Sequence, residues 1–202
     1  MSSVVYDYGG GLYINLTNKC PCRCDFCIRN FTDGLGDADS LFLDKEPTIE
    51  EVKTELAKWD PTKYSEVVFC GYGEPTERLN ELLEIAKYIR SEYIKEGSKL
   101  KAIRINTNGL ADLIWGEPTA HKLQGIIDTV SVSLNEADEE KYEKLCHPIF
   151  GIKSYDAMID YIKDVKKYVP NVATSVVGVI SEESIAKCRE KAKELGVAFR
   201  VR

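Results

Sequence analysis

Histidine is nearly absent, with two residues, His121 and His147, in a chain of 202. Chemistry built on several imidazoles is therefore thinly supplied. Long apolar runs are also missing. No stretch approaches the roughly 18 to 20 residues that a membrane-spanning helix needs, and the opening MSSVVYDYGG has neither the charged nor the apolar region of a signal peptide. Excess positive charge is lacking too: 27 Lys and Arg against 33 Asp and Glu leave a net charge of -6. Such a chain has no long-range pull toward nucleic acid or an anionic membrane. Internal repeats, low-complexity tracts and interdomain linkers do not occur. These absences, with 44% hydrophobic and 30% charged residues, lead us to expect a cytoplasmic protein with one domain over residues 1–202, and neither nucleic acid nor membrane as partner.

Cysteine is abundant in one place. CPCRCDFC, residues 20–27, holds four of the seven cysteines. In a reducing compartment clustered thiols argue for a metal or for catalysis rather than for disulfides, and an odd total agrees.

Short apolar segments alternate with amphipathic ones. LYINLTN (12–18), SEVVFC (65–70), AIRINTN (102–108), DTVSVSLN (128–135), VATSVVGV (172–179) and VAFRVR (197–202) read as strands. Helices are expected between them. One begins at the capping-box pair Thr48 and Glu51, and another runs through 77–97 and stops on Gly97. Further helices are expected at about 119–124 and 138–146, before Pro170, and up to Gly196. Alternating strands and helices imply right-handed crossovers and a parallel sheet. Six units suit a partial (β/α)6 barrel of six parallel strands with outer helices, or an open doubly wound sheet.

Several strands are apolar on one face only. Leu12, Ile14 and Leu16 oppose Tyr13, Asn15 and Thr17; Ile103 and Ile105 oppose Arg104 and Asn106. Val130, Val132 and Leu134 oppose Ser131, Ser133 and Asn135, and Phe199 and Val201 oppose Arg200 and Arg202. The polar face is expected to line a concavity, with a sheet face left in water as the alternative. Ligands of parallel α/β folds gather at the carboxyl ends of the strands. The cysteine cluster, GYGEP, TNG, SLN and VVGV all fall there.

Cys20, Cys24 and Cys27 form CxxxCxxC in a loop. Three thiolates so spaced suit a cubane iron–sulfur cluster with one iron lacking a protein ligand. A structural four-cysteine zinc site is the competing reading, although its ligands ordinarily come as two separated pairs. Cys22 is expected to be a bystander, Cys70 pocket lining and Cys188 core. The adjacent Cys146 and His147 suggest a nucleophile and base, yet neighbours at a helix end diverge. Arg104 and Arg200 suit either an anionic substrate group or internal ion pairs. The segment IRNFTDGLGDADSLFLDKEP is expected to be a solvated loop without calcium.

With Phe26 just before the third cysteine and Gly-Glu-Pro after the second strand, the chain resembles the radical S-adenosylmethionine superfamily. LYINLTNKCPCRCDFCIR, GYGEPTERL, INTNGL, SVSLNE, SVVGVI and FRVR together resemble its TatD-associated family from Tyr6 onward. The resemblance implies a partial (β/α)6 barrel with a 4Fe-4S cluster on Cys20, Cys24 and Cys27. It also implies reductive cleavage of S-adenosylmethionine to a 5'-deoxyadenosyl radical that abstracts hydrogen from a substrate. Gly71, Tyr72, Gly73 and Glu74 match the motif meeting the methionine ammonium, with Tyr72 where a second adjacent glycine is commoner. Ser133 and Asn135 match the ribose or carboxylate contact, Thr107 and Asn108 a nearby polar turn, Val177, Gly178 and Val179 the adenine shelf, and Phe26 an adenine contact. No side chain is assigned a catalytic role, because the cofactor carries the difficult chemistry. A small-molecule substrate and a flavodoxin- or ferredoxin-like electron donor are expected. The alternatives are an activase forming a glycyl radical on a partner protein and a non-enzymatic iron–sulfur or zinc protein.

Overall fold

The computed structural model describes residues 2–202, and the chain divides into two compact units. The first takes in the chain up to Cys20, Ile28–Asn106 and Ile126–Asp128. It opens with a hairpin of β1 (Val5–Tyr8) and β2 (Gly11–Ile14), paired antiparallel. Gly9 and Gly10 make the two-residue turn at φ 58° and 82°, the left-handed values that a hairpin matching strand twist demands. β1 is an addition to the six strands expected; its four residues precede Leu12, where the first expected strand begins. The next strands, β3 (Glu66–Phe69) and β4 (Ala102–Thr107), continue parallel to β2.

Two helices serve this sheet. In α1 (Ile49–Trp59) Thr48 and Glu51 form the reciprocal capping box, which satisfies backbone donors the first turn otherwise leaves open. In α2 (Leu79–Tyr93) Leu79, Leu82, Leu83, Ile85, Ala86 and Ile89 form a buried stripe, as do Val67, Phe69, Ile103 and Ile105 on the strands. This helix ends at Tyr93 rather than at Gly97. Gly97 is left-handed, but it turns a separate loop beyond the helix.

The second unit comprises Pro21–Cys27, Thr107–Gly125 and Thr129–Arg202. Its strands β5 (Thr129–Ser133), β6 (Asn171–Val176) and β7 (Ala198–Val201) are parallel. Around them run α3 (Ala111–Trp115), which was not expected, α4 (Glu139–Cys146), α5 (Lys153–Val165) and α6 (Glu182–Leu195). Asp138 and Ser181 cap α4 and α6 through their side chains, and Gly196 closes α6 in the left-handed conformation. Residues 120–123 form a single 3-10 turn. β6 stops at Val176, so Val177, Gly178 and Val179 lie in the turn that follows rather than on the strand.

The polar strand faces are largely buried, except in the last strand, where Arg200 and Arg202 are exposed. Asn15, Thr17 and Arg104 are buried in the first unit, and Ser131, Asn135, Thr174 and Ser175 in the second. The segment expected to be a solvated loop is exposed over most of its length but anchored at two points. Leu41 is buried with Tyr6 and Tyr72, and the Asn15 side-chain amide donates to the Leu41 carbonyl at 2.8 Å. Asn18 holds Leu43 from both sides, accepting from its N–H at 3.0 Å and donating to its carbonyl at 2.8 Å. Two apolar anchors, Leu41 and Leu43, outweigh the aspartates that gave the segment its loop-like composition.

Candidate functional site

The carboxyl end of β2 leads into the cysteine loop, and its carbonyls are held before the first cysteine. Arg78 donates to Leu16 O at 3.2 Å and to Pro47 O at 2.7 Å, and pairs with Glu81 at 3.1 Å. Thr17 donates its hydroxyl to Glu46 at 2.7 Å, and that bond is the main cause holding the Glu46 carboxyl below the usual carboxylate range. The Glu74 N–H donates to Lys19 O at 2.8 Å, fixing the residue next to Cys20. Arg78 and Glu46 were missed by sequence reasoning, because nothing in local spacing marks a side chain that reaches distant backbone carbonyls.

Gly71 and Gly73 are required by close approach. A Cβ on Gly73 would lie 2.2 Å from Thr17 O and 2.6 Å from Lys19 O, and one on Gly71 would lie 2.0 Å from the Asn15 side-chain oxygen. Tyr72 is buried against Tyr6 and Leu41, and its hydroxyl donates to Thr32 O. Glu74 is buried and caps the turn after it, accepting from the Thr76 N–H at 3.0 Å and hydroxyl at 2.7 Å.

In the second unit the cysteine loop lies along the end of α4. The Arg23 N–H donates to Cys146 O at 3.0 Å, the Asp25 N–H to Leu145 O at 3.1 Å, and the Ile149 N–H to Pro21 O at 2.8 Å. Between these bonds the Cys24 thiol meets Cys146 and Cys22. Hydrogen bonds from Cys146 and then Cys22 hold Cys24 below the ordinary thiol range, against the opposing effect of burial. Cys146 is pushed up, first as the donor in that contact and then by burial. The His147 ring Nε2 lies 2.8 Å from Asp25 Oδ1, so the Cys146–His147 dyad is not formed. His147 sits at φ 44°, which turns its ring away from the helix and onto the loop.

Two residues assigned to the cofactor are brought to this loop. Asn108 donates its amide to Cys22 Sγ at 3.9 Å and Asn135 donates to Cys146 Sγ at 3.4 Å. Thr107 is buried and accepts from the Gly109 N–H at 3.1 Å, and Ser133 accepts from Arg202 at 2.9 Å. Phe26, Cys20, Cys24 and Cys27 are half-exposed, while Val179 is exposed. Cys188 is fully buried, and burial pushes its thiol up to about 12, as suits a core residue.

Arg104 takes the ion-pair alternative, bonding Glu66 at 2.9 Å and the Tyr13 hydroxyl at 3.2 Å. Arg200 is exposed and lines an open cavity with Thr129, Asn171, Ala173 and Ala198, toward the amino ends of β6 and β7. That is the wrong end of the strands for the site expected.

A parallel α/β protein with a thiol-rich loop after its first parallel strand is defined by this geometry. A family model, the Radical SAM superfamily, matches residues 14–194, and the chain belongs to that superfamily. A probable dual-specificity RNA methyltransferase RlmN of Chlorobium phaeobacteroides (strain BS1) is 27% identical over 169 residues, covering 79% of this chain and 44% of the relative. Among solved structures, a radical SAM methyltransferase from Sphaerobacter thermophilus shares the fold at a TM-score of 0.60 and 17% identity, covering 98% of this chain and 57% of its own. Streptococcus suis SuiB, bound to its precursor peptide SuiA, gives 0.66 at 16% identity, with 98% and 40% covered. The chain thus spans roughly half the length of these proteins.

The superfamily uses a 4Fe-4S cluster and S-adenosylmethionine. The donor chemistry of the loop fits a cluster: Cys20, Cys24 and Cys27 are soft ligands, all outside disulfides. Among the described residues no group of three His, Cys, Asp or Glu side chains is placed to hold a metal ion. Buried polar atoms without protein hydrogen-bond partners fit a polar ligand. Asn15 Oδ1 and Asn106 Oδ1 in the first unit, and Asn135 Oδ1 and Ser175 Oγ in the second, are among them; Arg104 Nε and Ser154 Oγ are likewise without partners. No helix among the described residues is long and apolar enough to cross a membrane.

Proposed function

We propose that the chain is a radical S-adenosylmethionine enzyme working as one core domain, with Cys20, Cys24 and Cys27 holding a 4Fe-4S cluster. Gly71, Tyr72, Gly73 and Glu74, with Thr107, Asn108, Ser133, Asn135, the Val177–Val179 turn and Phe26, hold S-adenosylmethionine. The observation that carries this reading is the cysteine loop, whose backbone is pinned at Lys19 by Glu74 and at Pro21, Arg23 and Asp25 by residues 145–149. Restraining the backbone while leaving three thiols half-exposed is what a loop must do to receive a metal centre from outside. When bound, the cluster would supply the electron for reductive cleavage of S-adenosylmethionine and so the capacity to abstract hydrogen from a substrate.

The chain's own part is to bind, orient and exclude water. Backbone carbonyls of Gly71–Glu74 accept from the methionine ammonium, while Asn135 Oδ1 and Ser175 Oγ, buried without protein partners, bond the polar groups of the nucleoside. The relatives' names include an RNA methyltransferase and a peptide-bound enzyme. For this chain a small-molecule substrate is favoured over RNA, because a net charge of -6 gives phosphates no attraction. A one-electron protein donor of flavodoxin or ferredoxin type supplies the reductant.

Anaerobic reconstitution tests the reading. The wild-type chain is expected to take up four irons with sulfide per chain, show the electron paramagnetic resonance signal of a reduced cubane, and release 5'-deoxyadenosine from S-adenosylmethionine with dithionite. Alanine at Cys20, Cys24 or Cys27 abolishes all three, and Cys188→Ala leaves them in place. Zinc in place of iron, or a cluster that survives loss of any of the three cysteines, overturns the assignment.

A further inference from the structure

The turn after β3 carries Tyr72 where a second adjacent glycine is commoner, and the structure gives that side chain a task of its own. The flanking glycines press the turn onto β2 and the residues after it: a Cβ on Gly71 would strike Asn15 Oδ1 at 2.0 Å, and one on Gly73 would strike Thr17 O at 2.2 Å. Tyr72 makes different contacts. Its hydroxyl donates to Thr32 O, and its ring meets the Phe42 ring edge-on, with centroids 4.9 Å apart and planes at 73°. Only 4% exposed, it is clustered with Tyr6 and Leu41, and Leu35 and Ala38 pack against the same cluster. Apart from Tyr6, every one of these partners lies in residues 28–47, the segment that follows the cysteines. Asn15 adds a tie from β2, since the amide whose oxygen faces Gly71 donates to Leu41 O at 2.8 Å.

We infer that Tyr72 is a positioning residue whose side chain couples residues 28–47 to the Gly71–Glu74 turn, so that ordering of this segment and binding of S-adenosylmethionine stabilise one another. The coupling rests on the turn meeting the methionine ammonium, as proposed above. Glycines let a ligand approach the backbone, and the same freedom lets the backbone wander. Carbonyls that must accept from a ligand bind it better when their turn is already held. Tyr72 supplies that hold from the segment side without occupying the space its glycine neighbours leave open. The segment itself has four aspartates, is exposed at Phe31, Asp33, Asp37 and Asp39, and is fixed by few apolar contacts, which puts it among the parts of a fold that open locally. Coupling between two sites is reciprocal, so whatever the segment adds to cofactor binding must reappear as protection of the segment by the cofactor.

The test uses the full chain reconstituted anaerobically. Tyr72→Phe keeps the ring and loses the hydroxyl, Phe42→Ala removes the ring contact from the segment side, and Phe31→Ala, at a residue 74% exposed, is the control. Iron content, Kd for S-adenosylmethionine, and amide hydrogen exchange of residues 31–43 with and without S-adenosylmethionine are measured. In wild type the cofactor is expected to slow exchange across the segment. Tyr72→Phe and Phe42→Ala are expected to load iron normally, to exchange the segment faster and to bind S-adenosylmethionine more weakly, each by roughly 3- to 10-fold, the factor that follows from losing one net hydrogen bond or one edge-to-face ring pair. Phe31→Ala should match wild type in both. Phe42 is assigned no cofactor contact, so a loss of affinity in its variant travels through the turn. A segment that loosens in both variants while the affinity stays at the wild-type value overturns the inference, because Tyr72 then only packs. Wild-type exchange that ignores the cofactor overturns it as well, and that result depends on no variant. If Tyr72→Phe takes up no iron, wild-type exchange and Phe42→Ala decide alone. A wild-type chain that takes up no 4Fe-4S cluster or binds no S-adenosylmethionine sinks the functional reading and this one with it; a loaded, cofactor-binding wild type whose segment is unprotected sinks this one alone.

Discussion

At Gly73 the absence of a side chain has a backbone cause. The atoms that a Cβ would strike, Thr17 O at 2.2 Å and Lys19 O at 2.6 Å, are main chain and cannot rotate aside. Gly73→Ala must therefore push the start of the cysteine loop away from the turn after β3, and overpacking of this kind is expected to cost roughly 2–4 kcal/mol. Gly178→Ala, whose Cβ meets nothing nearer than 3.7 Å, is expected to stay within about 0.5 kcal/mol of wild type. Urea midpoints of the two variants check the contrast, and equal midpoints would contradict it. The sequence pointed to these glycines for the room they leave a ligand; the tertiary structure adds a tighter constraint, strand backbone against turn backbone. His147 is a similar case. Beside Cys146 it reads as half of a dyad, yet its left-handed φ of 44° sends the ring to Asp25. Adjacency in sequence carries no information about that direction.

At the scale of elements, local rules were legible wherever the determinants lay within a few residues. The Thr48–Glu51 capping box is such a case, with Glu51 Oε2 accepting from the Thr48 N–H at 2.8 Å and Thr48 Oγ1 accepting from the Glu51 N–H at 3.2 Å. Thr48→Ala is expected to lower stability by about 1 kcal/mol. Lys45 first, and then the Thr48 N–H, depress the Glu51 carboxyl from 4.5 to about 2. A depressed carboxyl contributes stability that is whole above its unfolded value and fades as pH falls through its folded one. The cap should thus be intact above pH 4.5 and lost toward pH 2. Thermal melts of wild type and Glu51→Gln across that window should converge at the acid end; curves that stay parallel would refute the cap's pH dependence. The hairpin of β1 and β2 is signalled locally only by Gly9-Gly10, because each of its strands is four residues long, too short to set a clear period of its own. Helix α2 stopped short of Gly97 because a left-handed glycine marks a turn without requiring that a helix precede it.

For the whole molecule, charge sets the broadest expectation. With -6 net charges the chain should not retain transfer RNA on a filter at 0.15 M salt, whereas binding tighter than roughly 1 μM would reverse the small-molecule reading. The alternation of elements and the three-cysteine spacing were settled by sequence alone, since strand period, helix caps and CxxxCxxC are all short-range patterns. Membership of the Radical SAM superfamily follows from that same order of residues over 14–194. Only the tertiary structure decided that Arg104 is spent on Glu66 and Tyr13, that Leu41 and Leu43 pin the acidic loop, and that Cys146 lies against Cys24. Those pairings join residues from 25 to 122 positions apart: Asn18 and Leu43 at 25, Arg104 and Glu66 at 38, Cys24 and Cys146 at 122. Hydrophobic burial and hydrogen-bond satisfaction select such partners across the folded chain, and neither leaves a periodic trace in the sequence.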